Sequence, residues 1–491
     1  MRGVAISTQA QHYDAVLISV PPILLHGPHL APALLKAYAA EKGYSVKCIN
    51  PSPELHTSLP EEEARNWPYN DFEESFKNKE EELYVHIDSW IEKALQFNPR
   101  VVGLSTHAWS SLFFLRKICS RFKELHPDIT LILGGPPTME MGSKLKNSGF
   151  IDHFVVGDGE DAFISILKGT ADHPNVDGKI PTPISNEAFE NLPIPDFSDS
   201  DFEITKQNYA SKNRIYLIGS RGCVFNCSFC NVPSMTQKFR YKSGLTFAKE
   251  VYTIQRKYNP LFIELADSLI NGSMKIFREF LHELIILQEE HGIKPKLDAF
   301  FRVRPERAIS KKDFALMAKA GIARIRIGVE SGSYDVREHI GKKETNEDIF
   351  YTLEECKKNG IGVNLLMLVG YVNETEERYQ DTLQFLQEIK DKELDLTIDT
   401  VVVNELYISE GTRLRDMSED LKIKNIGVGV DEKTERLWSL KMDDGIENTS
   451  ELRLKRVAEV KKFVEDNYRS LGKLLVFSSN EESCQILTDP A

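Results

Sequence analysis

Short, unbroken apolar runs recur through the first third of the chain: Asp14–Val20 (DAVLISV), Tyr44–Ile49, Val101–Ser105 (VVGLS), Ile129–Leu133 (ITLIL) and Ile151–Val156. Between them lie stretches of helical spacing, among them Ala31–Lys42, closed by Gly43, and Ser111–Leu125. Strands that are apolar at successive positions are covered on both faces, and helices alternate with them here. The pattern predicts a doubly wound parallel sheet of about five strands, Rossmann- or flavodoxin-like, over residues 12–170. Residues 52–80 are acidic and polar without a period and read as a loop or insertion. Residues 171–212, with Pro174, Pro181, Pro183, Pro193 and Pro195, read as a linker.

A second series of strand–helix units fills residues 213–415. Its strands are expected at Arg214–Ile218, Leu261–Leu265, Asp298–Val303, Arg324–Val329, Val363–Val369 and Ile398–Val403. In Ser273–His291 the residues Phe277, Phe280, Leu281, Leu284 and Leu287 recur at helical spacing and mark a buried face. Six right-handed units suggest a barrel or partial barrel, with its chemistry at the strand C-termini. Residues 416–491 read as a charged, partly helical accessory segment (Glu451–Asn467), with the last dozen residues expected to be disordered.

The chain has 491 residues, enough for two large domains. A net charge of −13 disfavours a nucleic-acid partner, which needs a basic face. No run is apolar for long enough to span a bilayer. The beginning has no signal-peptide pattern. Seven cysteines scattered over this length are the usage of a cytoplasmic protein, not a disulfide framework.

Three of them are clustered, in Arg221-Gly222-Cys223-Val224-Phe225-Asn226-Cys227-Ser228-Phe229-Cys230. Three neighbouring thiolates can hold three irons of a [4Fe–4S] cube and leave the fourth iron open. A local zinc finger would need a fourth ligand, and no His stands between His173 and His282. Buried structural cysteines are the remaining alternative.

The C-x3-C-x2-C spacing, with Phe229 just before the last cysteine, resembles the signature of the radical S-adenosylmethionine (SAM) superfamily. The resemblance implies a partial (β/α)6 barrel and a [4Fe–4S] cluster on Cys223, Cys227 and Cys230. It also implies SAM chelated to the open iron, and an electron from a donor such as flavodoxin or ferredoxin cleaving it to a 5′-deoxyadenosyl radical. It places Phe229 of the cysteine motif, Asp267 and Ser268 at the end of the second barrel strand, and Glu330 and Ser331 at the end of the fourth, in contact with SAM. Asp267, Glu330 and Ser331 could equally cap the helices that follow. Arg302 and Arg304 on the third strand either meet the SAM carboxylate or pair with a barrel acid. Gly370-Tyr371-Val372-Asn373-Glu374-Thr375 is similar to a G-x-P-G-E-T segment but has Val372 and Asn373 in place of Pro and Gly.

In the first domain, Gly134 and Gly135 follow the fourth strand, and Gly157-Asp158-Gly159-Glu160 follows the fifth. Glycines at strand C-termini admit a ligand to the backbone or simply make tight turns. Residues 12–170 resemble the cobalamin-binding domain that precedes many radical SAM barrels, although the D-x-H-x-x-G cobalt-ligand motif is absent. His26, His29 and His107 sit just after candidate strands and could approach the lower cobalt face. Each is otherwise an ordinary hydrogen-bonded histidine. The resemblance implies a cobalamin-dependent C-methyltransferase acting on a peptide or small natural-product precursor. The alternatives are a non-methylating radical SAM enzyme (cyclisation, epimerisation, rearrangement or sulfur chemistry) and, last, a corrinoid or redox sensor.

Overall fold

The apolar runs of the first third form five strands: β1 (Ala15–Ser19), β2 (Val46–Ile49), β3 (Val101–Ser105), β4 (Thr130–Gly134) and β5 (His153–Phe154). The structure is a computed structural model that describes residues 12–477 apart from 24, 26, 66, 68–71, 108, 137, 201–212, 427–436 and 469–474. All pairings in this sheet are parallel, in the order β2-β1-β3-β4-β5. That is the flavodoxin-like order. It reverses direction between β1 and β3 and leaves a crevice at the strand C-termini there. All five residues of β1 are buried, because helices cover both faces. Ala15, Leu17, Val101, Ile132, Phe163 and Ile166 share one apolar cluster. β5 is shorter than its apolar run because Val155 leaves the ladder and bridges Val176 in antiparallel fashion.

The expected loop over 52–80 is instead partly helical, at Ser52–Ser58, Glu61–Arg65 and Phe72–Ser75. Leu55, Trp67, Phe72 and Phe76 are buried, and Trp67 Nε1 donates to the Ile23 carbonyl at 2.9 Å. Such short helices are held by tertiary burial of a few large side chains, not by a period.

By internal contacts the chain divides into two compact units: Met1–Thr182 with Leu192–Tyr209, and Pro183–Asn191 with Ala210–Ala491. The second unit carries β6 (Arg214–Leu217), β7 (Ser220–Arg221), β8 (Arg240–Tyr241), β9 (Phe262–Leu265), β10 (Leu297–Phe301), β11 (Ile322–Glu330), β12 (Gly362–Val369), β13 (Ile398–Glu405), β14 (Leu440–Lys441), β15 (Glu447–Asn448) and β16 (Leu475–Phe477). Its main sheet is parallel throughout, in the order β6-β9-β10-β11-β12-β13-β16. The six strands read from the sequence therefore lie side by side in chain order, each followed by a helical stretch, and β16 adds a seventh at the edge. One face of this sheet is apolar and buried under the helices: Ile215, Leu217, Ile263, Leu265, Ile325, Ile327, Val363, Leu365, Val401 and Val403. The alternate positions carry an ion-pair network. Arg214 Nη1 and Arg326 Nη2 each lie 2.9 Å from Asp298 Oδ2, and Arg326 Nη1 lies 2.6 Å from Glu264 Oε1. Those guanidiniums hold the Asp298 carboxyl below its ordinary range against the opposing effect of burial.

Helix Ser450–Asn467 packs against β12, β13 and β16. Arg453 stacks 3.8 Å from the ring of fully buried Trp438 and lies 3.4 Å from Glu405, and Trp438 Nε1 donates to Leu406 O at 3.0 Å. The described parts of the C-terminal segment, β16 included, are thus built into the second unit, and the last dozen residues lie outside those described.

Candidate cofactor sites

The cysteine loop leaves the C-terminal end of β6. β7 and β8 pair in antiparallel fashion at its base, and Gly222 turns there at φ +87°, where a Cβ would sit 2.6 Å from the Lys238 carbonyl oxygen. Within the loop, Cys230 N donates to Cys227 O at 3.0 Å and Phe225 N to Cys223 Sγ at 3.4 Å. Outside partners hold its shape: Ser228 N donates to Ile340 O (2.9 Å), Leu414 N to Ser228 O (2.8 Å), and Arg413 Nη1 to Asn226 O (3.1 Å). Cys227 and Phe229 pack against the cluster of Val336, Ile340, Leu368, Tyr371 and Trp438.

All three cysteines are free and half-buried. Burial raises the Cys223 thiol, and pushes that of Cys230 to about 11, with the neighbouring cysteines adding to the rise. A metal centre binds such clustered cysteines as thiolates, displacing their protons. Among the described residues, no three His, Cys, Asp or Glu side chains converge closely enough for a single metal ion. A cube of four irons binds each thiolate at a different corner, so its ligands stand apart, and the donor set is the soft one such a cluster takes. The loop therefore fits a [4Fe–4S] cluster and not a lone zinc.

Arg302 lies beside the loop. Its Nη1 is 3.4 Å from Cys227 Sγ, its guanidinium stacks 3.9 Å from the Phe225 ring, and Nε and Nη2 pair with Glu344 at 2.8 and 2.9 Å. Arg302 thus pairs with an acid from the Lys342–Glu344 loop as well as facing a cysteine. Buried Asn271 clamps its backbone on both sides, at 2.8 and 3.0 Å. Arg304 also lies over Phe225, and burial with the nearby Arg302 charge lowers its pKa.

Asp267, expected at the ligand, is 1 % exposed and turned to the chain itself. Its carboxylate accepts from Ser220 Oγ at 2.5 Å and from Gly219 N at 3.1 Å, fixing the entry to the cysteine loop. Burial raises its pKa to about 6, against the pull of those hydrogen bonds. Its neighbour Ser268 is exposed at the strand end. Ser331 is fully buried, 3.1 Å from Thr382 Oγ1, and accepts from Ser333 N at 3.2 Å. Glu330 sits at a register shift in β11 with φ +67°, a conformation that costs a non-glycine residue roughly 1 kcal/mol. Lys342 Nζ bridges its Oε1 (2.7 Å) and the Gly328 carbonyl (2.5 Å). Glu374 is fully buried against Arg456 at 3.1 Å and accepts from Gly370 N at 2.6 Å, so its segment is a structural corner. Lys342, Glu344, Asn271, Phe225 and the Ser228–Tyr371–His339 chain (2.6 and 3.1 Å) carry no sequence spacing that would have singled them out.

In the first unit the strand ends flanking the switch point converge. Gly135 has φ +114°, and a Cβ there would lie 1.9 Å from the Thr106 carbonyl oxygen, so the backbones of β3 and β4 touch. At Gly134 a Cβ would meet nothing within 4 Å. The end of β4 thus leaves space for a ligand to approach its backbone. His29, after β1, and His107, after β3, face each other edge to face with ring centroids 5.9 Å apart. His29 Nδ1 lies 3.2 Å from Ser19 Oγ. Desolvation and the facing His107 lower the His29 pKa to about 3, so its ring is neutral. His26 lies outside the described residues.

A flavodoxin-like sheet followed by a three-thiol loop on a partial barrel joins a ligand-binding type of α/β unit to one suited to an iron–sulfur centre. Residues 217–386 match the radical SAM superfamily model, and residues 73–167 match the B12 binding domain model. The chain is 26 % identical over 318 residues to the anaerobic magnesium-protoporphyrin IX monomethyl ester cyclase of Rubrivivax gelatinosus, covering 60 % of this chain and 56 % of that protein. It is 25 % identical over 321 residues to an uncharacterized methyltransferase of Pyrococcus horikoshii, covering 62 % and 68 %. The chain thus spans little more than half the length of the cyclase it matches. The solved structure of the radical SAM methyltransferase TsrM from Kitasatospora setae, with cobalamin and a [4Fe–4S] cluster, superposes with a TM-score of 0.63 at 15 % identity, covering 85 % of this chain and 82 % of that one. The chain therefore carries a radical SAM domain preceded by a B12-binding domain. Its cofactors are accordingly a [4Fe–4S] cluster, SAM and cobalamin. Among the described residues no helix is long and apolar enough to cross a membrane.

Proposed function

We propose that this radical SAM enzyme is a cobalamin-dependent C-methyltransferase acting on a peptide or small natural-product precursor. The observation that carries the reading is that one chain holds both cofactor seats, the thiol loop after β6 and the open glycine edge of β4. The names of the Pyrococcus horikoshii relative and of TsrM support methyl transfer. When bound, cluster and SAM supply a carbon radical that removes a substrate hydrogen, and cobalamin supplies the methyl group.

The chain's own residues hold and orient. Cys223, Cys227 and Cys230 take three irons. Asp267 sets the loop's entry, while the paired Arg302 places a cation beside Cys227. Ser268, Glu330 and Arg302, at the C-terminal ends of β9, β11 and β10, are the polar groups available to SAM. Ser331, buried against Thr382, fixes the turn that follows Glu330. A low-potential donor such as flavodoxin or ferredoxin delivers the electron.

Non-methylating chemistry is the second reading, favoured by the cyclase name of the Rubrivivax gelatinosus relative. Turnover with SAM carrying a CD3 group separates the two. A product that gains the CD3 label, formed together with 5′-deoxyadenosine, supports methyl transfer. 5′-Deoxyadenosine with an unlabelled product refutes it.

A further inference from the structure

Cobalt in a corrin has four ring nitrogens and two axial positions. In this chain the D-x-H-x-x-G motif is absent, yet the B12-binding unit places an imidazole pair at its switch point. We propose that His29 is the protein ligand to one axial position of the bound cobalt, through Nε2, with Ser19 and His107 orienting its ring. This rests on the B12-binding reading of the first unit and not on methyl transfer.

Several independent features converge on His29. It follows β1 and His107 follows β3, the two strands between which the sheet reverses, so the pair stands where ligands of such sheets bind. Ser19, the last residue of β1 and 3 % exposed, sits 3.2 Å from His29 Nδ1. A ligating histidine characteristically uses one ring nitrogen for the metal and the other for a fixed neighbour, which sets tautomer and orientation. In the tautomer that donates Nδ1–H to Ser19 Oγ, the lone pair is on Nε2. His107 is the more exposed of the two and meets His29 edge to face, so it braces the ring and does not compete for the same position. The glycine edge of β4 lies beyond β3 in the sheet order and leaves open space above Gly134, which a macrocycle resting across the strand ends requires.

The test uses the full chain, purified without oxygen and loaded in parallel with cobalamin and with cobinamide, which lacks the nucleotide base. Retained cobalt is counted first. The cob(II)inamide form is then examined by electron paramagnetic resonance. A single axial nitrogen splits the cobalt lines into triplets, and 15N-histidine labelling turns these into doublets. The expected result is a histidine-dependent splitting in the wild type and in His107→Ala. The splitting should be lost in His29→Ala and restored there by added imidazole, which also shows that the variant is folded. Ser19→Ala is expected to keep the nitrogen but weaken its retention several-fold. Retained cobinamide without nitrogen splitting, or splitting that vanishes only in His107→Ala, overturns the assignment. Retention of neither corrinoid overturns the B12-binding reading of the unit, and the assignment with it.

Discussion

Three glycines of the first unit separate the fold from the ligand. Gly149 has φ +74° with nothing within 4 Å of an added Cβ, so Gly149→Ala carries only left-handed strain, roughly 1–2 kcal/mol. Gly135 adds an approach of 1.9 Å to the Thr106 carbonyl oxygen, a backbone atom that cannot swing away. Gly135→Ala therefore has to part β3 from β4 and should cost about 2 kcal/mol more than Gly149→Ala. Gly134 has neither feature. Gly134→Ala should leave stability unchanged or raise it by about 0.5 kcal/mol through the unfolded chain. Yet its methyl enters the space where the macrocycle would rest, and overpacking of about 1–3 kcal/mol there weakens binding roughly tenfold. The assay is denaturant unfolding of each apo variant beside its cobalamin retention by visible absorbance. Gly149→Ala should lose stability but keep cobalamin, Gly134→Ala the reverse, and Gly135→Ala should lose both. Full cobalamin affinity in Gly134→Ala, or Gly135→Ala as stable as Gly149→Ala, refutes the reasoning.

Other consequences concern the barrel. The rise of the Asp267 pKa from 3.8 to about 6 means that the folded state holds a proton the unfolded chain releases. Stability from this group is present below about pH 4 and lost as pH rises to 6, roughly 3 kcal/mol, and Asp267→Asn should remove that slope from denaturant midpoints across the window. Arg302→Ala leaves Glu344, 7 % exposed, without its pair, and should cost about 3 kcal/mol in urea unfolding while lowering iron retained after reconstitution. Tyr371→Phe strips a partner from Ser228 and His339 and should cost about 1–2 kcal/mol, read as a fall in apo-protein midpoint.

Much of the fold could be read from the chain, because the first unit's parallel strands, buried on both faces, leave continuous apolar runs, and the second unit's strands alternate apolar residues with the charged positions of the ion-pair network. All eleven such runs became strands, and Val101–Ser105 did so to the residue. The cysteine loop was equally legible, since its ligands lie within eight positions of one another. What escaped depends on distant partners. Residues 52–80 have no helical period, and their short helices exist because Trp67 and Phe72 reach a core built elsewhere. β16 is three residues of a run whose flanks are polar, and only β13 makes it a strand. Asp267 and Ser331 look like ligand contacts from their place after strands. Their partners, Ser220 in β7 and Thr382 in the helix Glu376–Asp391, are distant in sequence and turn them inward. Arg302 could face a ligand or an acid, and the structure gives it Glu344 and Cys227 together.

The central claim is that Cys223, Cys227 and Cys230 hold a [4Fe–4S] cluster at which SAM is cleaved. The direct measurement is 5′-deoxyadenosine formed from SAM by anaerobically reconstituted, reduced protein, alongside iron per chain, in the wild type and in Cys227→Ala. The wild type should hold about four irons and form 5′-deoxyadenosine, and the variant should lose its cluster and form none. Undiminished cleavage in Cys227→Ala, or an intact wild-type cluster that leaves SAM uncleaved under strong reduction, would contradict it.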